Sequence, residues 1–205
     1  MRAIFILVLF FGISYGQTAQ IDLPQKKLDL FTSYYNSFLK SINTEIKKLT
    51  SLEQPANKLS DPKNLSALIS RYDKLLKKVA TEKLIILTKY QEYSDSAVET
   101  LSNLGVSAEK IKKISSILKK AKDKLAESFD HLEDFLFYKK KELTFLKNSK
   151  FSVNKDRIIF STKQDYNQHK KIFTQAVQHL KEFNQYSDQF LKLHKKAVKK
   201  INELF

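Results

Sequence analysis

The chain has 205 residues, of which 42% are hydrophobic and 29% are charged, and its formal net charge at pH 7 is +15. It contains no cysteine, which excludes disulfide bonds, thiol nucleophiles and zinc–thiolate sites. Its three glycines are too few for the tight turns of a many-stranded β-protein or for a glycine-rich phosphate loop. The composition therefore favours a helical protein that is stabilised by its core alone.

Residues 1–16 have the features of a secretory signal peptide. Arg2 supplies a positive charge, an apolar run follows it, and Ser14 and Gly16 are small residues at the end of the segment. The apolar run is shorter than the roughly 20 residues that a membrane span needs. We therefore expect cleavage after Gly16 and a secreted chain, with a membrane anchor or a buried helix as the alternative.

Beyond this segment, apolar residues recur every three or four positions in four stretches. This period predicts amphipathic helices over about 22–52, 62–104, 107–147 and 161–205. We expect residues 17–205 to form a single helical domain. Its predicted fold is all-α, an elongated antiparallel four-helix bundle or a stack of coiled-coil hairpins without disulfides. Two long hairpins that complete their cores only in a dimer are the alternative.

Local signals mark several helix ends. Asp61 is a suitable N-cap for the second helix, and Pro62 fits the first helical position. Gly105 suits the left-handed residue that closes a helix, and the link around it is so short that the helices on either side must run antiparallel. Ser161 and Gln164 form a capping-box pattern that predicts the start of the last helix.

The segment 148–160 interrupts the helical period with Asn, Ser and Asp residues that are typical of turns. Its residues 158–160 are apolar and could be extended, but a single strand would have no partner. We expect an apolar flap over the end of the bundle, or an early start of the last helix.

The sequence contains no recognisable catalytic, cofactor or metal-binding motif. A di-iron bundle needs a Glu three residues before a His, and none of His131, His169, His179 and His194 has one. An HExxH motif is also absent. We therefore expect a non-enzyme with no catalytic residues, no cofactor and no metal. Two of the histidines, His169 and His194, are interpreted as partly buried residues that set helix register.

Basic residues, nearly all lysines, are concentrated in the second half of the chain. Residues 107–205 carry 23 basic and 12 acidic residues, against 13 and 10 in residues 17–106. Near the C-terminus lysines occupy one face of the last helix and apolar residues the other. These lysines are Lys192, Lys195, Lys196, Lys199 and Lys200. Such a face is typical of binding to anionic membranes, polyanions or acidic proteins, although a merely solvated face has the same pattern.

Three functions are compatible with these features. The first hypothesis is a secreted, non-enzymatic helical bundle that binds an acidic extracellular protein, a polyanion or an anionic surface through the C-terminal lysines. The alternatives are an extracellular carrier of a fatty acid or other small apolar ligand, and a self-associating structural coiled-coil protein. Sequence-specific nucleic-acid recognition is not expected, because base-edge contacts favour arginine. The sequon at Asn64 makes that residue a candidate N-glycosylation site.

Overall fold

Four long helices make up most of the computed structural model, which describes residues 22–54, 56–154 and 157–204. The helices are α1 Asp22–Leu52, α2 Pro62–Asn103, α3 Ala108–Asn148 and α4 Lys163–Asn202. A short 3₁₀ helix, Ala56–Ser60, precedes α2, and two strands, β1 Phe151–Asn154 and β2 Arg157–Phe160, lie between α3 and α4. Helix accounts for 88% of the described residues, which confirms the predicted all-α, cysteine-free bundle. The predicted signal peptide, residues 1–16, lies outside the described residues.

The ends of α2 follow the local signals. The Asp61 carboxylate accepts a hydrogen bond of 2.8 Å from the backbone N–H of Lys63, so Asp61 is the N-cap. At the other end Gly105 has a φ of 72°, and the N–H of Val106 donates to the carbonyl of Leu101 at 3.1 Å. This left-handed closure satisfies a carbonyl that the helix would otherwise leave unpaired.

The start of α4 differs from the predicted capping box. The N-cap is Thr162, whose hydroxyl accepts a hydrogen bond of 3.0 Å from the N–H of Asp165. Ser161 instead donates its N–H to the carbonyl of Lys150 at 3.2 Å, which ties the two ends of the strand pair together. Because Ser161 is used in this way, the helix begins after it, at Lys163.

The expectation of an apolar flap or an early helix over 148–160 is wrong, because β1 and β2 pair as an antiparallel hairpin. Phe151 lies opposite Phe160, and Val153 lies opposite Ile158. These four side chains are half-buried, while their neighbours in each strand are exposed. The Phe160 ring packs 5.9 Å from the ring of Phe145 on α3. The partner of β2 is β1, which lies just before it in the chain. β1 has only four residues, too few to show a clear period of two in the sequence.

The chain divides into two compact units, each containing a part of every long helix. The first, here called the hairpin unit, contains the described residues of Ser41–Thr81 and Asp130–Phe183. The second, here called the aromatic unit, contains the described residues among 22–40, 82–129 and 184–204.

In the hairpin unit, paired side chains show the direction of α3 and α4. His131 lies beside His179, and Glu142, further along α3, lies beside His169, earlier in α4. These two helices therefore run antiparallel in this unit, and the β-hairpin between them permits that reversal.

In the aromatic unit, rings from three helices fill the interior. Neighbouring centroids in this cluster lie 5.0–6.2 Å apart, within the range of favourable aromatic contacts. The rings belong to Phe31 and Tyr35 of α1, Tyr90 and Tyr93 of α2, and Phe190 and His194 of α4. All six residues are almost completely buried, so they anchor α4 in this unit.

Candidate binding surface

The last turns of α4 present the predicted lysines to solvent. Four of the five are exposed and Lys200 is half-buried, and this set of five is called the basic face below. The opposite side of the same turns is packed into the aromatic unit. Its buried residues are Leu191, His194, Ala197, Val198 and Ile201. The predicted separation of charged and apolar faces is therefore present.

The geometry of α4 concentrates the basic face. At about 100° and 1.5 Å per residue, its five lysines fall within an arc of roughly 140° and along roughly 12 Å of helix. The Debye length at 0.1 M salt is about 10 Å. The charges are therefore close enough to act on a ligand together.

The basic face has little internal neutralisation. Lys199 lies 3.8 Å from the carboxylate of Glu203, and both side chains are mostly exposed, at 79% and 57%. Exposed pairs of this kind contribute little. Within the part of the chain that the structure describes, the other four lysines make no ion pair. They are available to an external anion.

Helix α1 brings charges of both signs to the same end of the aromatic unit. Phe31 lies beside His194 and Tyr35 beside Phe190, so α1 and α4 run antiparallel there. One further turn in each helix brings Lys27 of α1 level with the basic face, and the exposed Lys26 and Asp29 are close to it in sequence.

In the hairpin unit, by contrast, Lys139 is part of a buried ion network. Its ammonium donates to the carboxylates of Glu53 at 2.9 Å and Glu142 at 2.8 Å, and all three side chains are at most 10% exposed. The Tyr72 hydroxyl donates to Glu53 at 2.7 Å, and His169 Nε2 lies 3.1 Å from Glu142. The network thus joins α2, α3 and α4 to Glu53, the residue that follows α1.

The charges of this network depend on each other. Burial alone would raise the pKa of Glu142, but the Lys139 ammonium and the hydrogen bonds from His169 and Lys139 outweigh it and lower that pKa to about 2. Burial would likewise lower the pKa of Lys139, but the carboxylates of Glu142 and Glu53 raise it above its ordinary value. Both groups therefore remain charged at neutral pH.

The structure places the two histidines of the predicted apolar face differently. His194 is fully buried, with Nδ1 3.3 Å from the Tyr90 hydroxyl oxygen. Burial, and secondarily the charge of Lys195, lowers the His194 pKa to about 4. This side chain is therefore neutral at pH 7. His169 is half-buried and belongs to the ion network.

Sequence reasoning missed the pairing of the other two histidines. His131 Nδ1 lies 3.2 Å from His179 Nδ1, and Glu182 is beside both. A signal was present, because each histidine is followed three residues later by an acid, Asp134 in α3 and Glu182 in α4. The di-iron pattern has the acid before the histidine. Residues three apart lie on the same face of a helix, so a histidine followed by an acid brings the two side chains together equally well.

Asn64 is exposed in the first turn of α2. Its amide donates to the carbonyl of Lys58 at 3.3 Å, and the neighbouring Leu65 is buried. The candidate sequon is therefore part of a helix, and its glycosylation stays a prediction.

Two surface grooves, each of about 340 Å³, bear on the carrier hypothesis. In the hairpin unit the groove lies beside the 3₁₀ helix and β1, and more than half of its lining is polar: four serines together with Lys147 and Lys150. In the aromatic unit the groove between α2 and α3 is lined partly by Asp95, Lys119 and Asp123. Sites for small apolar ligands are mostly apolar and enclosed, so neither groove favours a fatty acid.

No helix among the described residues is apolar over a stretch long enough to cross a bilayer. Comparison of the chain with family models, with curated proteins and with solved structures gives no match.

Proposed function

We propose that this chain is an exported, non-enzymatic binding protein whose basic face holds an extracellular anionic partner. The observation that carries the proposal is the row of five lysines on α4, of which four are exposed and all but Lys199 make no ion pair within the described residues. The chemistry that such a row recognises is a series of closely spaced negative charges, as in a polyanionic chain, an anionic lipid surface or an acidic protein segment.

Packing of the opposite side of α4 supports the proposal. Because His194 and Val198 are buried, the backbone that carries the lysines is held in place before any partner arrives. Less ordering of the backbone is then needed on binding, which favours affinity. Lysines are compact, strongly hydrated charges, so the attraction is expected to be diffuse and sensitive to salt.

The combined variant K195Q/K196Q/K199Q/K200Q tests the basic face. We expect it to elute from immobilised heparin at lower salt than the wild type and to bind anionic phospholipid vesicles at least roughly 100-fold more weakly, since each lysine near such a surface contributes about 1 kcal/mol. Helicity should be unchanged, because Gln and Lys have similar helix propensities. Comparing heparin with vesicles shows which anionic surface is preferred.

A matched control removes the same charge elsewhere. The variant K63Q/K74Q/K150Q/K171Q changes four exposed lysines of the hairpin unit and lowers the net charge equally. We expect it to elute close to the wild type. If both variants shift equally, binding reflects net charge alone and the proposal is wrong.

If the basic-face variant and the wild type elute at the same salt, self-association becomes the better function. An apolar surface for such self-association is present in the hairpin unit, where Tyr166, Phe173 and Val177 of α4 are 51%, 38% and 37% exposed. Their spacings of seven and four residues place them in one line along the helix.

Export has its own test. Expression in a secreting host should release a chain that begins at Gln17, because the segment before it has the order of charge, apolar run and small residues that signal peptidase recognises. Intact-mass measurement of the chain in the medium identifies its first residue. Retention of Met1 on a membrane-bound chain would support the anchor alternative instead.

A further inference from the structure

Three side chains of the hairpin unit point their ligand atoms at one another. His131 Nδ1 on α3 lies 3.2 Å from His179 Nδ1 and 3.2 Å from a carboxylate oxygen of Glu182, both on α4. The third side of the triangle, from His179 Nδ1 to the same carboxylate oxygen, is 3.4 Å. The three atoms are thus at the corners of a nearly equilateral triangle.

That triangle has the dimensions of one face of a zinc coordination tetrahedron. Zinc binds imidazole nitrogen and carboxylate oxygen at about 2.0–2.1 Å, and in a tetrahedron this bond length separates the ligand atoms by about 3.3–3.4 Å. The observed separations of 3.2–3.4 Å match this value without movement of the backbone. An ion seated against the triangle would therefore meet all three atoms at bonding distance.

We propose that His131, His179 and Glu182 form a binding site for a divalent transition-metal ion, of which Zn²⁺ is the favoured occupant. Two imidazoles and one carboxylate suit zinc better than calcium or magnesium, which prefer oxygen ligands. The fourth position is left to water or to Asp134, whose carboxylate lies 3.5 Å from His179 Nδ1 and is 51% exposed. The three ligands are 17–28% exposed, so an ion can reach them from solvent.

The site is held in shape by its surroundings. The ring of Tyr138 on α3 stacks on that of His179, with centroids 5.2 Å apart and planes 13° apart. This contact orients the His179 imidazole toward His131. His179 and Glu182 are one turn apart on α4, so the helix itself sets their spacing. A bound ion would link α3 to α4 through ligands that are 48 residues apart in the chain.

Calorimetric titration of the full chain with Zn²⁺ tests the site. We expect one ion per chain for the wild type. His131→Gln and His179→Gln should each weaken binding by roughly 100-fold or more, since each removes a ligand, and even second-shell losses reduce metal affinity by about 10- to 100-fold. Glu182→Gln leaves both rings in place and should weaken binding by at least roughly tenfold. Far-UV circular dichroism checks that each variant is folded.

His169→Gln is the matched control, because it removes a half-buried histidine of the same helix α4 from a different cluster. It should bind Zn²⁺ like the wild type.

Titration with Co²⁺ adds a second readout, since the intensity of its visible absorption distinguishes four-coordinate from six-coordinate binding. A wild-type chain that takes up no Zn²⁺, or Zn²⁺ affinity that survives in both His131→Gln and His179→Gln, would overturn the proposal. Either of these two results would leave the proposed function of the basic face standing, because the basic face lies in the aromatic unit.

Discussion

Replacing Lys139 by methionine is expected to lower the free energy of unfolding by about 3–5 kcal/mol, the usual cost of removing one partner from a buried ion pair. Methionine preserves much of the volume of the side chain but removes its charge. The carboxylates of Glu53 and Glu142 would then remain buried beside each other without the ammonium that now lies 2.8–2.9 Å from them. Urea denaturation followed by far-UV circular dichroism at pH 7 measures the loss.

The neighbouring residue supplies a matched control. Lys140 pairs with Asp73 at 2.6 Å, but both side chains are about one third exposed, at 34% and 33%. Because solvent screens such pairs, Lys140→Met should lower the free energy of unfolding far less than Lys139→Met does. The triple variant E53Q/K139M/E142Q, which removes all three charges, should recover a large part of the loss. Equal costs for Lys139→Met and Lys140→Met would show that burial of the network contributes nothing.

Acidification from pH 7.5 to 4 is expected to remove about 3 kcal/mol of stability through His194 alone. The folded pKa of this group is about 4, below the value of 6.5 for an ordinary histidine. Below pH 6.5 the unfolded chain therefore binds a proton that the folded chain does not. The stability from the neutral, buried ring is fully present above pH 6.5 and is lost as the pH falls toward 4.

The variant His194→Phe isolates this effect from the titration of carboxylates. Phenylalanine can occupy the same cluster of rings, yet it has no proton to gain. Its stability at pH 7.5 is expected to differ from that of the wild type, but its decline on acidification should be smaller by about 3 kcal/mol. Urea denaturation of both chains at the two pH values gives the comparison. Parallel declines would mean that His194 titrates normally in the folded chain.

Helix positions could be predicted from the sequence because the signals for them are local. The ends of α2 and α3 differ from the predicted ends by at most one residue. Asp61 caps α2 through a contact two residues away, and Gly105 ends it through its own backbone angle. The exposed row of lysines on α4 is likewise a property of a single helix, because a period of 3.6 residues separates the two faces.

The β-hairpin and the start of α4 were not predicted, because each depends on a second segment. Residues 158–160 look like an isolated apolar piece until Phe160 is paired with Phe151. Ser161 looks like a helix cap until its N–H is found to bond with Lys150. Short strands carry too few residues for their period to identify their partners.

The sequence by itself determined the all-α class, the positions of the four helices and the charged face of α4, since hydrogen bonding and solvation along one helix repeat within a few residues. Tertiary structure decided which polar side chains meet. Lys139 reaches Glu53 across 86 residues, and His131 reaches His179 across 48. Such contacts depend on how each helix is rotated and shifted against its neighbours. The packing of whole apolar faces sets this rotation and shift, so a short sequence motif cannot predict them.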